Sequence, residues 1–178
     1  AEGGRPMSIH FGPAGNSESF AAAGFKASAD APAWLAGLGL NAYEYQCGRG
    51  VNVGQETARK IGGAARAHGI ALSLHTPYYI NLSSGEDERR EKNVGYLLQS
   101  CEAAAAMGAQ RMVVHCGGVG KQSRDKALQH SRENVRMLLD ALDRGGYSQT
   151  ICLETMGKQS VVGSAEEVCG LVALDDRL

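Results

Sequence analysis

Three short apolar runs, each closing on a strong ligand type, constrain this chain more than any other feature. They are Ala71-Leu72-Ser73-Leu74-His75, Met112-Val113-Val114-His115 and Ile151-Cys152-Leu153-Glu154. Each follows a glycine that reads as a helix stop: Gly69, Gly108 and the pair Gly145-Gly146. Runs of this length are strands, and the longer stretches between them carry helical periodicity. In a parallel barrel the C-terminal strand ends converge on one face, where the chemistry sits. Two imidazoles and a carboxylate meeting there would form an N,N,O metal site with room for a water or a substrate.

The rest of the chain supports that reading. Ser8 to Gly12 is a candidate first strand, followed by a loop over Gly12 to Asn16. Asp30 caps a helix from Ala31 with Pro32 in its first turn, and Gly39 ends it. Asn41 to Tyr45 is a second strand, Gly54 to His68 a helix, and Ile70 to His75 the third strand. Ser83 with Glu86, and Ser84 with Asp87, suit capping boxes for a helix with Val94, Leu97, Leu98, Cys101 and Ala105 on one face. Arg111 to His115 is the fourth strand. The next helix buries Leu128, Val135, Leu138, Leu139 and Leu142, and Thr150 to Glu154 is the fifth strand. Ser164 and Glu167 then form a capping box for a last helix.

Strands recur roughly every 30 to 40 residues, the spacing of (β/α) units. No GxGxxG follows the first strand, and the polar strand ends are spread over several strands, which favours a barrel over a doubly wound sheet. The expected fold is α/β, a TIM (β/α)8 barrel that is incomplete, with about five βα units present. The chain looks truncated after the fifth helix. Residues 1–7 read as a leader or disordered start, with Met7 a plausible true start. Residues 8–178 read as the N-terminal part of a single TIM-barrel domain.

Composition excludes little. A net charge of −1 announces no global basic field, although a local patch can still serve nucleic acid. Five scattered cysteines without a CxxC pair suit a reducing, cytoplasmic compartment. No run of about 18 apolar residues predicts a membrane span, and Ala1 to Pro6 lacks the apolar region of a signal peptide.

Each candidate residue has a plainer role beside the chemical one. His75 and His115 taken singly would be structural; three ligand types at equivalent strand ends strengthen the metal reading. Glu44 reads as a salt bridge inside the barrel mouth, and His10 could point into the same mouth. His68 and His130 read as surface residues on helices. Tyr78 and Tyr79 either stack on a base or wedge a duplex, or pack over the rim. Arg49 either contacts a phosphate or is solvated. Cys116 packs, or is a spare soft ligand. Gly117-Gly118-Val119-Gly120-Lys121 lacks the glycine and the Ser or Thr that a P-loop needs, because His115 and Gln122 stand there. Such a loop can still offer backbone N–H groups to a phosphate, and turn-making is the simpler role.

The segment Leu74-His75-Thr76-Pro77-Tyr78-Tyr79-Ile80-Asn81-Leu82 closely resembles the first metal-ligand segment of the endonuclease IV family of apurinic/apyrimidinic (AP) endonucleases. Val114-His115-Cys116-Gly117 resembles its second segment, where the family usually has proline after the histidine. Leu153-Glu154-Thr155-Met156-Gly157-Lys158 resembles the segment carrying its bridging glutamate, and Phe11 to Gly15 resembles the first-strand loop of a subset of the family. The resemblance implies a TIM barrel with up to three zinc ions that hydrolyses the phosphodiester 5′ to abasic sites in double-stranded DNA, in base excision repair, as a monomer when full length. It implies that His75 and His115 hold one zinc and that Glu154, the catalytic residue, bridges to a second. Tyr78, Tyr79 and Arg49 are the implied DNA contacts. The family's remaining ligands, which come from later strands, are missing, and Asp175 and Asp176 precede any sixth strand. The expectation for this chain alone is therefore weak metal binding and little or no nuclease activity. The alternative is a metal-dependent sugar isomerase or epimerase of the xylose isomerase-like barrel type. A third reading is non-enzymatic: a partial barrel whose exposed strand edges associate.

Overall fold

A computed structural model describes residues 9–178. The expected leader at 1–7, and Ser8 of the first candidate strand, lie outside the described residues. Four parallel strands form one sheet: β1 (Ala42–Gln46), β2 (Ala71–His75), β3 (Arg111–His115) and β4 (Thr150–Glu154), in the spatial order β1-β2-β3-β4. The helices are α1 (Glu18–Ala22), α2 (Ala31–Gly37), α3 (Gln55–Ala67), α4 (Asp87–Met107), α5 (Arg124–Gly145) and α6 (Ala165–Val172), with a 3-10 turn at Ser28–Asp30. Strand order never reverses, and from α2 to α6 each helix packs against the next. One-way order with right-handed crossovers keeps the helices on a single face, which is barrel winding and lacks the switch point of a doubly wound sheet.

Alternation along the strands fixes what faces where. Leu74, Met112, Val114, Ile151 and Leu153 point into the main core with Ile61, Leu97, Met107 and Leu142. Complete burial of one such side chain is worth about 1.5–3 kcal/mol. Turning a strand over by one residue would forfeit several of these and bury histidine or glutamate instead. The residue after each buried one, including His75, His115 and Glu154, is thereby held on the opposite face of the sheet.

The first candidate strand is corrected. Residues 11–15 run parallel to β1, but only Ala14 and Glu44 form a bridge. The Phe11 carbonyl accepts from Asn41 and Ala42, and the Pro13 carbonyl accepts from Glu44. Pro13 has no N–H to give, and a Cβ on Gly12 would lie 1.7 Å from the Ala42 oxygen, so the contact is too close and too poor in donors for a ladder. Four βα units are thus present, preceded by an edge segment. The short helix α1, capped by Ser17 and anchored by buried Phe20, has no counterpart in the sequence reading.

The two capping boxes expected before α4 do not form. Glu86 takes the N-cap position without a side-chain bond. Ser83 instead donates to the Cys116 carbonyl at 2.9 Å, and Ser84 Oγ accepts from the Glu86 N–H at 3.2 Å. The box of Ser164 and Glu167 does form at α6. Among the described residues, no helix is long and apolar enough to cross a membrane.

Candidate metal centre

β2, β3 and β4 end on His75, His115 and Glu154, all on the sheet face away from the helices. His115 stands level with Glu154, whereas His75 pairs with Val113, one inward-facing residue lower. The stagger still closes the gap, because the two imidazole rings meet edge to face with centroids 4.9 Å apart. Glu154 Oε2 lies 3.1 Å from His75 Nε2 and 2.9 Å from His115 Nε2. The histidine side chains are mostly buried, at 13% and 22% exposed, while Glu154 is 39% exposed and opens to solvent.

Hydrogen positions on His75 follow from its partners. Nδ1 is 2.9 Å from the Thr76 carbonyl, which can only accept, so Nδ1 carries the proton. In the neutral ring Nε2 is then a lone pair facing a carboxylate oxygen, two acceptors in contact. Only a cation between them, a proton on the ring or a metal ion, makes that contact favourable. A carbonyl-bound Nδ1–H that leaves Nε2 free is the usual way a ligating histidine is oriented.

The donor set fits a metal. The three ligand atoms lie within 4.8 Å of one another, and they are the one such histidine, cysteine or acid group among the described residues. Ligands at about 2.0–2.2 Å in tetrahedral array stand roughly 3.3 Å apart, so the two nitrogen–oxygen separations need to open by only a few tenths of an ångström.

The other candidates fall into place around this site. Cys116 is buried, and its thiol donates to the Glu154 carbonyl at 3.9 Å; burial, with the carboxylates of Glu167 and Glu154, pushes it up to about 11. It is a neutral packing group outside the three-ligand set. Glu44 makes no salt bridge among the described residues, which corrects the sequence reading: its oxygens accept from Ser73 Oγ at 2.9 Å and Gln46 Nε2 at 3.0 Å. His10 and His68 are exposed.

Tyr78 is 53% exposed, and its N–H donates to the Gly48 carbonyl, which ties the loop carrying exposed Arg49 to the loop after β2. Tyr79 turns inward and packs edge to face on Tyr96 with centroids 4.8 Å apart, the rim-packing arrangement. His130, expected at the surface, is half-buried against Gly85: a Cβ on that glycine would come within 2.3 Å of its ring. Thr76, which the sequence reading passed over, is fully buried and donates to the Val113 carbonyl at 2.9 Å. A hydroxyl directly after a ligand at a strand end was the available signal.

A sequentially ordered parallel sheet with helices on one face, and a His-His-Glu group able to hold a metal at the strand ends, has the pattern of a (β/α)-barrel. The profile of the xylose isomerase-like TIM barrel family matches residues 32–176, and the chain belongs to that family. It is 28% identical over 134 residues to an uncharacterized protein of Methanocaldococcus jannaschii, covering 75% of this chain and 48% of that protein. It is 33% identical over 107 residues to a probable endonuclease 4 of Acholeplasma laidlawii, covering 58% of this chain and 36% of the relative. Endonuclease IV from Thermus thermophilus matches with a TM-score of 0.62 at 25% identity, over 83% of this chain and 54% of that structure. D-psicose 3-epimerase from Clostridium cellulolyticum matches with a TM-score of 0.69 at 15% identity, over 84% and 54%, a likeness of fold. The chain thus spans about a third to a half of the length of these relatives. Those named for an activity are enzymes, endonucleases and epimerases.

Proposed function

We propose that this chain carries part of the metal centre of a zinc-dependent AP endonuclease, which hydrolyses the phosphodiester 5′ to abasic sites in double-stranded DNA. The observation that supports it most is the contact of Glu154 Oε2 with two imidazole nitrogens, one of which has its proton on the far side of the ring. The relatives named as probable endonuclease 4 support the choice among enzymes of this family. The epimerase likeness bears on fold alone.

In this reading His75 and His115 would hold zinc through Nε2, and Glu154 through its carboxylate. Bound zinc would supply Lewis-acid charge for a phosphodiester and the means to ionise water near neutral pH. The Thr76 carbonyl keeps the His75 lone pair aimed at the site. The second Glu154 oxygen has no hydrogen-bond partner among the described residues and is available to a second ion. Exposed Tyr78 and Arg49, on loops joined by a hydrogen bond, present an aromatic face and a cation to the DNA, with Tyr79 buttressing Tyr78 at 5.8 Å. Zinc stoichiometry and strand cleavage test the reading. In the whole protein, three zinc ions and a nick 5′ to a single abasic site are expected; this chain alone should hold zinc weakly and cleave little. One ion per whole protein with interconversion of ketohexoses would replace it with the epimerase reading.

A further inference from the structure

On the same rim as the metal site, the loops leaving β2 and β3, with Arg89 of α4 and His130 of α5, line a cleft of about 540 Å³ that none of the three ligand residues lines. That volume falls within the roughly 300–1,000 Å³ typical of small-ligand sites. Its walls carry an imbalance of charge and several unpaired donors. Several side-chain acceptors are taken. Asn81 Oδ1 accepts from the Ser83 N–H at 3.1 Å, and Ser84 Oγ from the Glu86 N–H at 3.2 Å. Gln122 is held at both ends. Its Nε2 donates to the Ser83 carbonyl at 2.7 Å, which turns Oε1 towards His130 Nδ1 at 3.0 Å. Because that oxygen can only accept, the His130 proton sits on Nδ1.

The donors are left over. Lys121 Nζ, Asn81 Nδ2 and the N–H groups of Gly120 and Lys121 find no acceptor among the described residues. Among the described residues Arg89 has an ion pair with Glu86 alone, at a loose 3.9 Å with both side chains more than half exposed. Two permanent cations thus face one carboxylate, with backbone and amide N–H groups unpaired beside them. Water satisfies such a surface, and so does a tetrahedral oxyanion, which presents acceptors only and gains charge-assisted bonds.

We infer that this cleft is a phosphate subsite, with Arg89, Lys121 and the Gly120–Lys121 backbone as its donors. It stands on the wall chemistry and not on any reaction at Glu154. Two sources fit: a backbone phosphate of DNA whose scissile bond lies at the neighbouring metal site, or the phosphate of a phosphorylated sugar.

Inorganic phosphate titrated into the chelator-treated 178-residue chain, followed by calorimetry or 31P line width, tests the subsite without zinc. Saturable millimolar binding is expected. Lys121→Gln and Arg89→Gln should each weaken it by about fivefold, the loss of one partly solvated charge-assisted bond. Glu86→Gln should tighten it, because it removes the one opposing charge and frees Arg89. Absence of saturable binding, or equal binding by all four proteins, overturns the subsite. Displacement of phosphate by an abasic-site duplex assigns the cleft to nucleic acid, and displacement by a hexose phosphate assigns it to a sugar substrate; displacement by neither overturns the inference. A chain that binds phosphate and never binds zinc would keep this subsite and remove the metal proposal, so the two fail separately.

Discussion

At His75 the donor count decides the chemistry. With Nδ1 given to the Thr76 carbonyl, the contact of Nε2 with Glu154 is attractive only through a cation. Removing Nε2 as a ligand while keeping a polar side chain, in His75→Asn, should weaken zinc binding by at least about tenfold, on the scale of outer-shell losses of roughly 10–100-fold. Competition with a chromophoric chelator reads this directly, and unchanged affinity would mean that zinc sits elsewhere. The adjacent Cys116 should not take part: its buried thiol is turned to the Glu154 carbonyl at 3.9 Å and stands outside the three-ligand group. Cys116→Ser should leave zinc affinity unchanged within about twofold.

Two adjacent glycines in α3 separate packing from propensity. A Cβ on Gly62 would lie 2.2 Å from the Met107 carbonyl oxygen of α4, a backbone atom that cannot swing aside, whereas a Cβ on Gly63 meets nothing within 4 Å. Gly62→Ala should therefore destabilise by about 2–3 kcal/mol, and Gly63→Ala should stabilise by about 0.5–1 kcal/mol. Opposite shifts in Tm check the pair. The α6 cap gives a pH prediction. Arg124 hydrogen-bonds the Glu167 carboxylate at 2.5 Å, and the Gly163 and Ser164 N–H groups add to this, lowering it to about 2. A carboxyl depressed on folding stabilises above its unfolded pKa and loses that contribution as pH falls from about 4.3 towards 2. Glu167→Gln should cost about 1–2 kcal/mol at pH 7 and show a shallower fall in Tm between pH 5 and about 2.5. Helix and strand identities were legible because β3 and β4 carry alternation that the core demands, and because Ser164 with Glu167 is a local cap. The ligand trio was legible because each member ends its run. What failed depended on contacts that the cap and strand patterns do not encode. Ser83 and Ser84 could not cap α4 once Ser83 was recruited by the Cys116 carbonyl and Ser84 turned back on the Glu86 N–H. The segment at Phe11 to Ala14 could not become a strand once Gly12 met the β1 backbone. The two-residue stagger between β2 and β3, which sets His75 one layer below His115, has no local signature at all.

Across the whole molecule, a parallel sheet with two outer strands must hide the hydrogen-bonding groups on its edges or pair them with another chain. β1 is covered by the Phe11 to Ala14 segment. On β4 the Ile151 N–H donates to the Arg177 carbonyl at 2.8 Å, and that turn is held by its own side chain. Arg177 Nη1 reaches Asp143 of α5 at 2.5 Å, and Nε reaches Asp175 at 2.9 Å. The same guanidinium, with the Arg177 N–H, holds the Asp175 carboxyl down to about 2, so this tie persists through mild acid and is lost only as pH falls towards that value. The side chain acts on the edge through the turn it fixes. Arg177→Ala removes both ion pairs while leaving the backbone carbonyl in place. It should therefore loosen the cover without deleting it, exposing Ile151 and Leu153 of β4 to pairing with a second molecule. Light scattering at tens of micromolar should show higher oligomers for Arg177→Ala than for the unaltered chain at pH 7, with Arg177→Lys between them, because lysine keeps the charge but cannot span two carboxylates in one plane. Identical masses for all three proteins would mean that the β4 edge is guarded by something other than this arginine.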